Sequence, residues 1–311
     1  MKIIYMGTPL FALKPLNALY TVGHNIVGVV CQPDKINHRG NKIEFCPTKQ
    51  WAIEHNVPVF QFEKIKKFGA TSLSYLDADV VVTCAYGQIL PQEMIDLCKY
   101  GVINIHSSLL PKYRGASPVA TTLLNGDSVG GVTIVKTSIG MDDGDMLLQK
   151  QIDVDPDDNS ITLSDKISAL GAECIVQVCG DIDKYFNNAT PQQHRFAVYC
   201  TKFTKDDAKI DFCLPADVVV NKIKAFALNP TAYFMHNGLR FKVYNAKVVK
   251  KVENNYKCGE VLVCDVKQGL IVACGEKTAM SITQIQAPNG KMLNIKNFLN
   301  GKKFDVGEVF N

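Results

Sequence analysis

Three runs in the first third of the chain, Ile3-Ile4-Tyr5-Met6, Ile26-Val27-Gly28-Val29-Val30 and Val80-Val81-Val82, are apolar without interruption and short. A strand with one wet face alternates polar and apolar residues. An uninterrupted apolar strand belongs to a sheet covered on both faces, as helical crossovers between parallel strands achieve. Between and after these runs, helix-length stretches recur near residues 10–21 and 48–55, then over Pro91–Cys98 and Pro118–Leu124. Further strands read at Val57–Phe60, Gly101–Ile105, Val132–Val135 and Met146–Val154. A long helix over Ile161–Phe186 follows, capped by Asn159 or Ser160. The alternation predicts an open, mostly parallel, Rossmann-like α/β sheet with helices on both faces.

The pattern changes after residue 187. Asn187–Thr204 has no apolar periodicity, contains Pro191-Gln192-Gln193, and reads as a linker. After one helix over Ala216–Ala227, short strands are punctuated by Asn237-Gly238, Cys258-Gly259, Gln268-Gly269 and Asn289-Gly290, the pattern of a small antiparallel barrel. We therefore expect a domain over residues 1–188, a linker over 189–205 and a second domain over 206–311, a division that suits 311 residues.

Several function classes drop out at this stage. No apolar run approaches the roughly 20 residues of a membrane span, and the first residues lack the pattern of a secretory signal. The eleven cysteines are odd in number and scattered, without CxxC spacing, and the six histidines show no HExxH pair. These features predict reduced thiols, a cytoplasmic protein and no metal. With no GxGxxG after the first strand and no GxxxxGK[ST], a dinucleotide dehydrogenase or P-loop NTPase is disfavoured. Nothing marks an apolar interface, so a monomer is expected. Residues 191–311 carry 18 Lys+Arg against 10 Asp+Glu, within a net charge of +4 for the whole chain. That surplus suits a polyanionic partner, and equally a lysine-rich solvated surface.

Three loops carry chemistry. Ligands of open α/β sheets bind beyond the carboxyl ends of the strands. The strand Gly101–Ile105 runs into Asn104-Ile105-His106-Ser107-Ser108-Leu109-Leu110-Pro111, where Asn104 and His106 share a face. A carboxamide donor beside an imidazole can hold a developing oxyanion and move a proton; a hydrogen-bonded core histidine is the plainer reading. The loop Gly140-Met141-Asp142-Asp143-Gly144-Asp145 sets three carboxylates among glycines, as a solvated turn, a cation site or part of an active site. A long polar loop, Gln32–Ile43, follows the second strand.

Together these motifs resemble the 10-formyltetrahydrofolate-dependent formyltransferases. The Asn-x-His of 104–106, the Ser-Leu-Leu-Pro after it and an Asp in Met-Asp-Asp-Gly-Asp, 36 residues beyond His106, match in order and spacing. Gly7-Thr8-Pro9 with Phe11, Gln32-Pro33-Asp34, Ala85–Pro91, Lys209–Phe212 and Gly301–Phe304 extend the likeness over nearly all of the chain, on the side of the family that formylates methionyl-tRNA. The resemblance implies that Asn104, His106 and Asp142 are catalytic, with Asn104 and a protonated His106 on the oxyanion and Asp142 paired with His106. It implies 10-formyltetrahydrofolate as co-substrate, lined by Tyr86, Gly87, Gln88, Ile89, Leu90 and Pro91 with Ser108, Leu109, Leu110 and Pro111. It also implies an OB-like second domain and initiator methionyl-tRNA as partner, met by Arg39, Lys42, Lys209 and Lys224. The chain departs from the family at Ala227-Leu228-Asn229-Pro230-Thr231, where an Asn-Pro-Trp-Pro run is usual. The alternatives are a formyltransferase of the same superfamily acting on an amino sugar nucleotide or on glycinamide ribonucleotide, and a non-catalytic tRNA-binding protein.

Overall fold

The computed structural model describes residues 1–36, 43–249, 252, 255–301 and 304–311. In chain order the elements of the first part are β1 (Lys2–Gly7), α1 (Leu13–Thr21), β2 (Asn25–Cys31), the two-residue strands β3 (Lys35–Ile36) and β4 (Ile43–Glu44), α2 (Pro47–Glu54) and β5 (Val59–Gln61). They continue with α3 (Ile65–Leu73), β6 (Val80–Cys84), α4 (Gln92–Ile95), β7 (Val102–His106), β8 (Arg114–Gly115), α5 (Pro118–Leu124), β9 (Val129–Lys136) and β10 (Met146–Asp153). The helices α6 (Ser160–Gly180) and α7 (Ile182–Asn187) and the strand β11 (Tyr199–Cys200) complete this part.

Seven strands form one sheet in the order β10-β9-β7-β6-β1-β2-β5. Pairings β1–β2, β1–β6, β2–β5 and β6–β7 are parallel, and β7–β9 is antiparallel. The expected mostly parallel sheet is thus present, and the uninterrupted apolar runs lie at its centre: Ile3 to Met6 and Val80 to Val82 are fully buried. From β1 the chain first builds outward through β2 to β5. It then returns to add β6 and β7 on the other side, so the order reverses beside β1 and β6. Such a reversal opens a crevice at the carboxyl ends of the strands, the ends that carry Gly7, Cys84 and His106.

Two compact units emerge from the contacts. The first comprises residues 1–118, 130–153 and 164–200, and the second 119–129, 154–163 and 201–311. The stretch read as a linker is not slack. It carries a 3-10 turn at His194–Phe196 and β11, which pairs in parallel with β8. Neither element has a sequence period, since each is too short to show one. The helix expected over Ile161–Phe186 is broken at Asp181 into α6 and α7. Asn159 caps α6, its Oδ1 accepting from the N–H groups of Ile161 and Thr162 at 2.8 and 3.2 Å.

The second unit holds α8 (Ala216–Ala225), β12 (Tyr233–His236), β13 (Leu239–Val249), β14 (Val261–Asp265), β15 (Gly269–Cys274), β16 (Thr278–Gln286), β17 (Met292–Asn294) and α9 (Ile295–Gly301). The strands form a curled antiparallel sheet, β12-β13-β16-β15-β14, with β17 on β16. Residues Glu308–Asn311 run between its edges. Asn311 exchanges backbone bonds with Met235 of β12, while Phe310 N–H donates to Gly259 and Val261 N–H to Glu308. This tail brings Phe310 into the core, stacked on Phe234 with 4.3 Å between ring centroids.

Candidate active site

Asn104 and His106 leave β7 on one face, as the two-residue period of a strand requires. β7 sits between β6 and β9, with Asn104 opposite Thr83 and Val135, and His106 opposite Thr133. The Thr83 hydroxyl donates to Asn104 Oδ1 at 2.9 Å. This fixes the amide, so that Nδ2 is the end turned towards Asp142 Oδ1, at 3.4 Å. His106 is only 5% exposed. Its Nε2 lies 2.9 Å from the Tyr113 carbonyl, which can only accept, so Nε2 carries a hydrogen. Nδ1 then faces Asp142 Oδ2 at 3.6 Å. Two lone-pair bearers would repel there. The contact is attractive when one proton sits between the imidazole and the carboxylate.

Asp142 reaches this position from a loop that glycines make possible. It adopts φ +49°, in the left-handed region. A Cβ on Gly144 would stand 1.9 Å from the Lys136 carbonyl, so only glycine lets the loop close against β9. Gly115 N–H, from β8, donates to Asp142 Oδ2 at 2.8 Å. Asp143 bonds Ser138, and the backbone carbonyl of Asp145 receives Lys136 N–H. Among the described residues, no group of His, Cys, Asp and Glu has the arrangement of a metal site. The three predicted catalytic residues are therefore brought together, and Thr83, Tyr113 and Gly115 join them. A period-two reading of β7 reveals none of these three, because their sequence separation hides the contact.

The segments expected to line the folate site divide. Ser108 and Leu110 are buried and Leu109 and Pro111 half-buried, and the loop is held from β9 and β10. Thr133 donates to the Ser108 carbonyl at 2.7 Å and accepts from Leu110 N–H at 3.1 Å, and Gln149 donates to the Leu110 carbonyl at 2.9 Å. Tyr86 and Leu90 instead turn into the core beside Ile65 and Met94, and burial pushes the Tyr86 phenol up to about 12. Gln88 is a clasp: it donates to the Phe62 carbonyl at 2.7 Å and accepts from Ile65 N–H at 2.9 Å. What this segment presents outward is the exposed Gly87 and an 84% exposed Ile89, with Pro91 half-buried at the start of α4.

Arg39 and Lys42 lie outside the described residues. The entry to their loop is anchored: Gln32 donates to the Tyr86 carbonyl at 2.9 Å, and Asp34 pairs with Lys49, whose ammonium holds the Asp34 carboxyl below the usual range. In the second unit Lys209 is exposed, while Lys224 is half-buried and donates to the Pro156 carbonyl at 2.7 Å. Leu228, at the departure from the Asn-Pro-Trp-Pro pattern, is exposed.

Comparison with known proteins places the chain. The formyl transferase family profile matches residues 1–179, and the profile of the formyl transferase C-terminal domain matches 202–303. A methionyl-tRNA formyltransferase of Acinetobacter baumannii (strain ATCC 17978) is 40% identical, over 99% of both chains. Those of Sulfurihydrogenibium sp. and Alkaliphilus oremlandii are 38% and 36% identical, over 100% and 99% of each chain. Among solved structures, HypX from Aquifex aeolicus in complex with tetrahydrofolic acid aligns with a TM-score of 0.67 at 16% identity, covering 99% of this chain and 50% of that one. The sugar 3N-formyl transferase WlaRD aligns at 0.64 and 20%, covering 94% and 99%. These two likenesses are of fold. The two profile matches and the relatives matched over their full length agree: the chain is an enzyme of the formyl transferase family, on the branch whose members are named methionyl-tRNA formyltransferase.

Proposed function

We propose that the protein transfers the formyl group of 10-formyltetrahydrofolate to the α-amine of initiator methionyl-tRNA, giving N-formylmethionyl-tRNA for translation initiation. The observation that carries this reading is the convergence of Asn104 and His106 on the Asp142 carboxylate, at 3.4 and 3.6 Å, in a chain related along its full length to methionyl-tRNA formyltransferases.

The residues suit the co-substrate. Asn104 Nδ2 has two hydrogens and spends one on the long 3.4 Å contact to Asp142, leaving a donor for the formyl oxygen. When the amine adds to the formyl carbon, negative charge develops on that oxygen, where a placed donor is worth about 2.7–4 kcal/mol. Asp142, 3.6 Å from His106 Nδ1, takes the proton that the amine releases and shares it with the imidazole. The same pair returns a proton to N10 as tetrahydrofolate leaves. His106 acts through Asp142, because its Nε2 is committed to the Tyr113 carbonyl. The Ser108–Pro111 loop, pinned by Thr133 and Gln149, is the better-fixed part of the folate site.

The basic surplus of residues 191–311 supplies the tRNA side, with Arg39, Lys42 and Lys209 as phosphate or base contacts and Lys224 steadied by Pro156. Eleven free thiols suit a reducing, cytoplasmic setting, and we read the protein as a monomer. No helix of the described residues is long and apolar enough to cross a membrane.

The test is transfer of a labelled formyl group from 10-formyltetrahydrofolate to charged initiator tRNA, beside charged elongator methionine tRNA. Transfer to the initiator alone is expected. Folate binding without transfer to either tRNA would favour an amino sugar nucleotide as acceptor.

A further inference from the structure

Gln192 belongs to no regular element, yet it is only 5% exposed and spends its whole side-chain amide on four bonds. Its Nε2 donates to the carbonyls of Asp142 and Gly144 at 2.8 and 2.7 Å. Its Oε1 accepts from Arg114 Nε and Nη2 at 3.0 and 2.7 Å. Two hydrogens and two lone pairs are all that a carboxamide has. The orientation is also forced, because a guanidinium only donates and carbonyls only accept. Asparagine is a methylene shorter, glutamate has no donor, and an apolar side chain has neither end.

Arg114 is itself 1% exposed. Its other contacts are neutral or polar: the Tyr199 hydroxyl at 3.3 Å and His194 Nδ1 at 3.2 Å. β8 and β11 fix its backbone, Arg114 N–H donating to Val198 and Ala116 N–H to Cys200. The residue after it, Gly115, supplies the N–H on the Asp142 carboxylate. One assembly therefore grips the loop of Asp142 twice, by its carboxylate and by the carbonyls of left-handed Asp142 and of Gly144. Residues held at such a φ persist only where their surroundings over-determine them.

We propose that Gln192, backed by Arg114, is a positioning residue that aims the Asp142 carboxylate at His106. The proposal rests on the formyl-transfer reading for its kinetic test, and on geometry alone for its spectroscopic one. Gln192→Glu separates the two ends of the amide. The new carboxylate still accepts from Arg114, so the fold is retained, but it has no hydrogen for the Asp142 and Gly144 carbonyls and sets like charge against them. In the full-length chain kcat should fall at least tenfold, with both KM values within twofold. At fixed pH the 15N resonance of His106 Nδ1 should move towards its position in Asp142→Asn. A residue that merely satisfied the buried guanidinium would leave kcat and that resonance unchanged in Gln192→Glu, and this outcome overturns the proposal. Should Gln192→Glu not fold, the double variant Arg114→Met/Gln192→Leu removes the buried charge together with its partner. The same loss of kcat is expected there, and full activity would be equally fatal. An unaltered chain that transfers no formyl group would remove the proposed function, while the His106 resonance would still decide the role of Gln192.

Discussion

The Thr83 hydroxyl decides which end of the Asn104 amide faces Asp142, and that makes Asn104→Asp a sharp test of the proposed role at the scale of one residue. The change keeps the volume but puts an oxygen without a hydrogen about where Nδ2 stood, 3.4 Å from Asp142 Oδ1. Turnover should drop about a hundredfold or more, the worth of one oxyanion donor at roughly 2.7–4 kcal/mol. Asn104→Ala and Asp142→Ala should fall as far, with an unchanged circular dichroism spectrum showing that the fold has survived. A second residue-scale expectation concerns Cys46. A hydrogen bond from the Cys31 thiol brings Cys46 down to about 5, against the burial that opposes it. Burial pushes Cys84, Cys179 and Cys274 up to about 12. Above its midpoint Cys46 is already thiolate, so raising the pH adds nothing to its reactive fraction. Its alkylation by iodoacetamide, mapped by mass spectrometry, should be nearly flat between about pH 6 and pH 8. An ordinary thiol, with a pKa of about 8.5, gains close to tenfold per unit over that range. A tenfold rise per unit at Cys46 would refute the assignment. At this scale Asn104 and His106 were legible because a strand's period of two sets them side by side. Gln192 was not: its partners lie 48, 50 and 78 residues away, and only the folded chain brings them to it.

Among the elements, β9 governs the loop after β7. Thr133, opposite His106 in the ladder, uses its whole hydroxyl, donating to Ser108 and accepting from Leu110 and from Gln149 at 2.9 Å. Thr133→Val preserves shape and strips all three bonds, leaving a carbonyl and an N–H of the loop without a partner in a buried place. A loss of about 2 kcal/mol follows, or a fall in Tm of roughly 3 °C if all 311 residues unfold together. If Ser108–Pro111 bind the folate, KM for 10-formyltetrahydrofolate should rise severalfold while kcat at saturating folate stays near normal. A lowered Tm with unchanged folate KM would detach that loop from the co-substrate. Elements were read from the sequence in proportion to their length and uniformity. β1, β2, β6 and β7 announced themselves as apolar runs, and the N-cap of α6 by Asn159. α3 shows no apolar stripe in the sequence because the middle of its buried face (Ile65, Gly69, Leu73) is a glycine. β8 and β11, two residues each, have no pattern to read and exist through their pairing.

For the whole molecule, charge separates the acceptors that fold likeness leaves together. The structural neighbours include sugar formyl transferases, so the architecture of the first unit does not choose between a nucleotide sugar and a tRNA. The surplus of 18 basic over 10 acidic residues in 191–311 does bear on that choice, through counterion release. A polynucleotide sheds one bound cation for each phosphate a protein neutralises, so its affinity falls as a power of salt concentration, with an exponent near the number of contacts. A small nucleotide has few phosphates to neutralise and gives a shallow slope. If three or more phosphates of methionyl-tRNA are met, KM for the tRNA should rise more than tenfold between roughly 50 and 200 mM salt. KM for the folate serves as the internal control: if Ser108–Pro111 line its site, a loop held by neutral hydrogen bonds from Thr133 and Gln149, it should change less than twofold. Charge reversal at Lys209, whose side chain is exposed, should flatten the tRNA slope by about one unit without altering the folate KM. A slope that Lys209→Glu leaves untouched would take that lysine off the tRNA path. A tRNA KM indifferent to salt would mean that the basic surplus is only a solvated surface, and that the acceptor is recognised by the first unit alone.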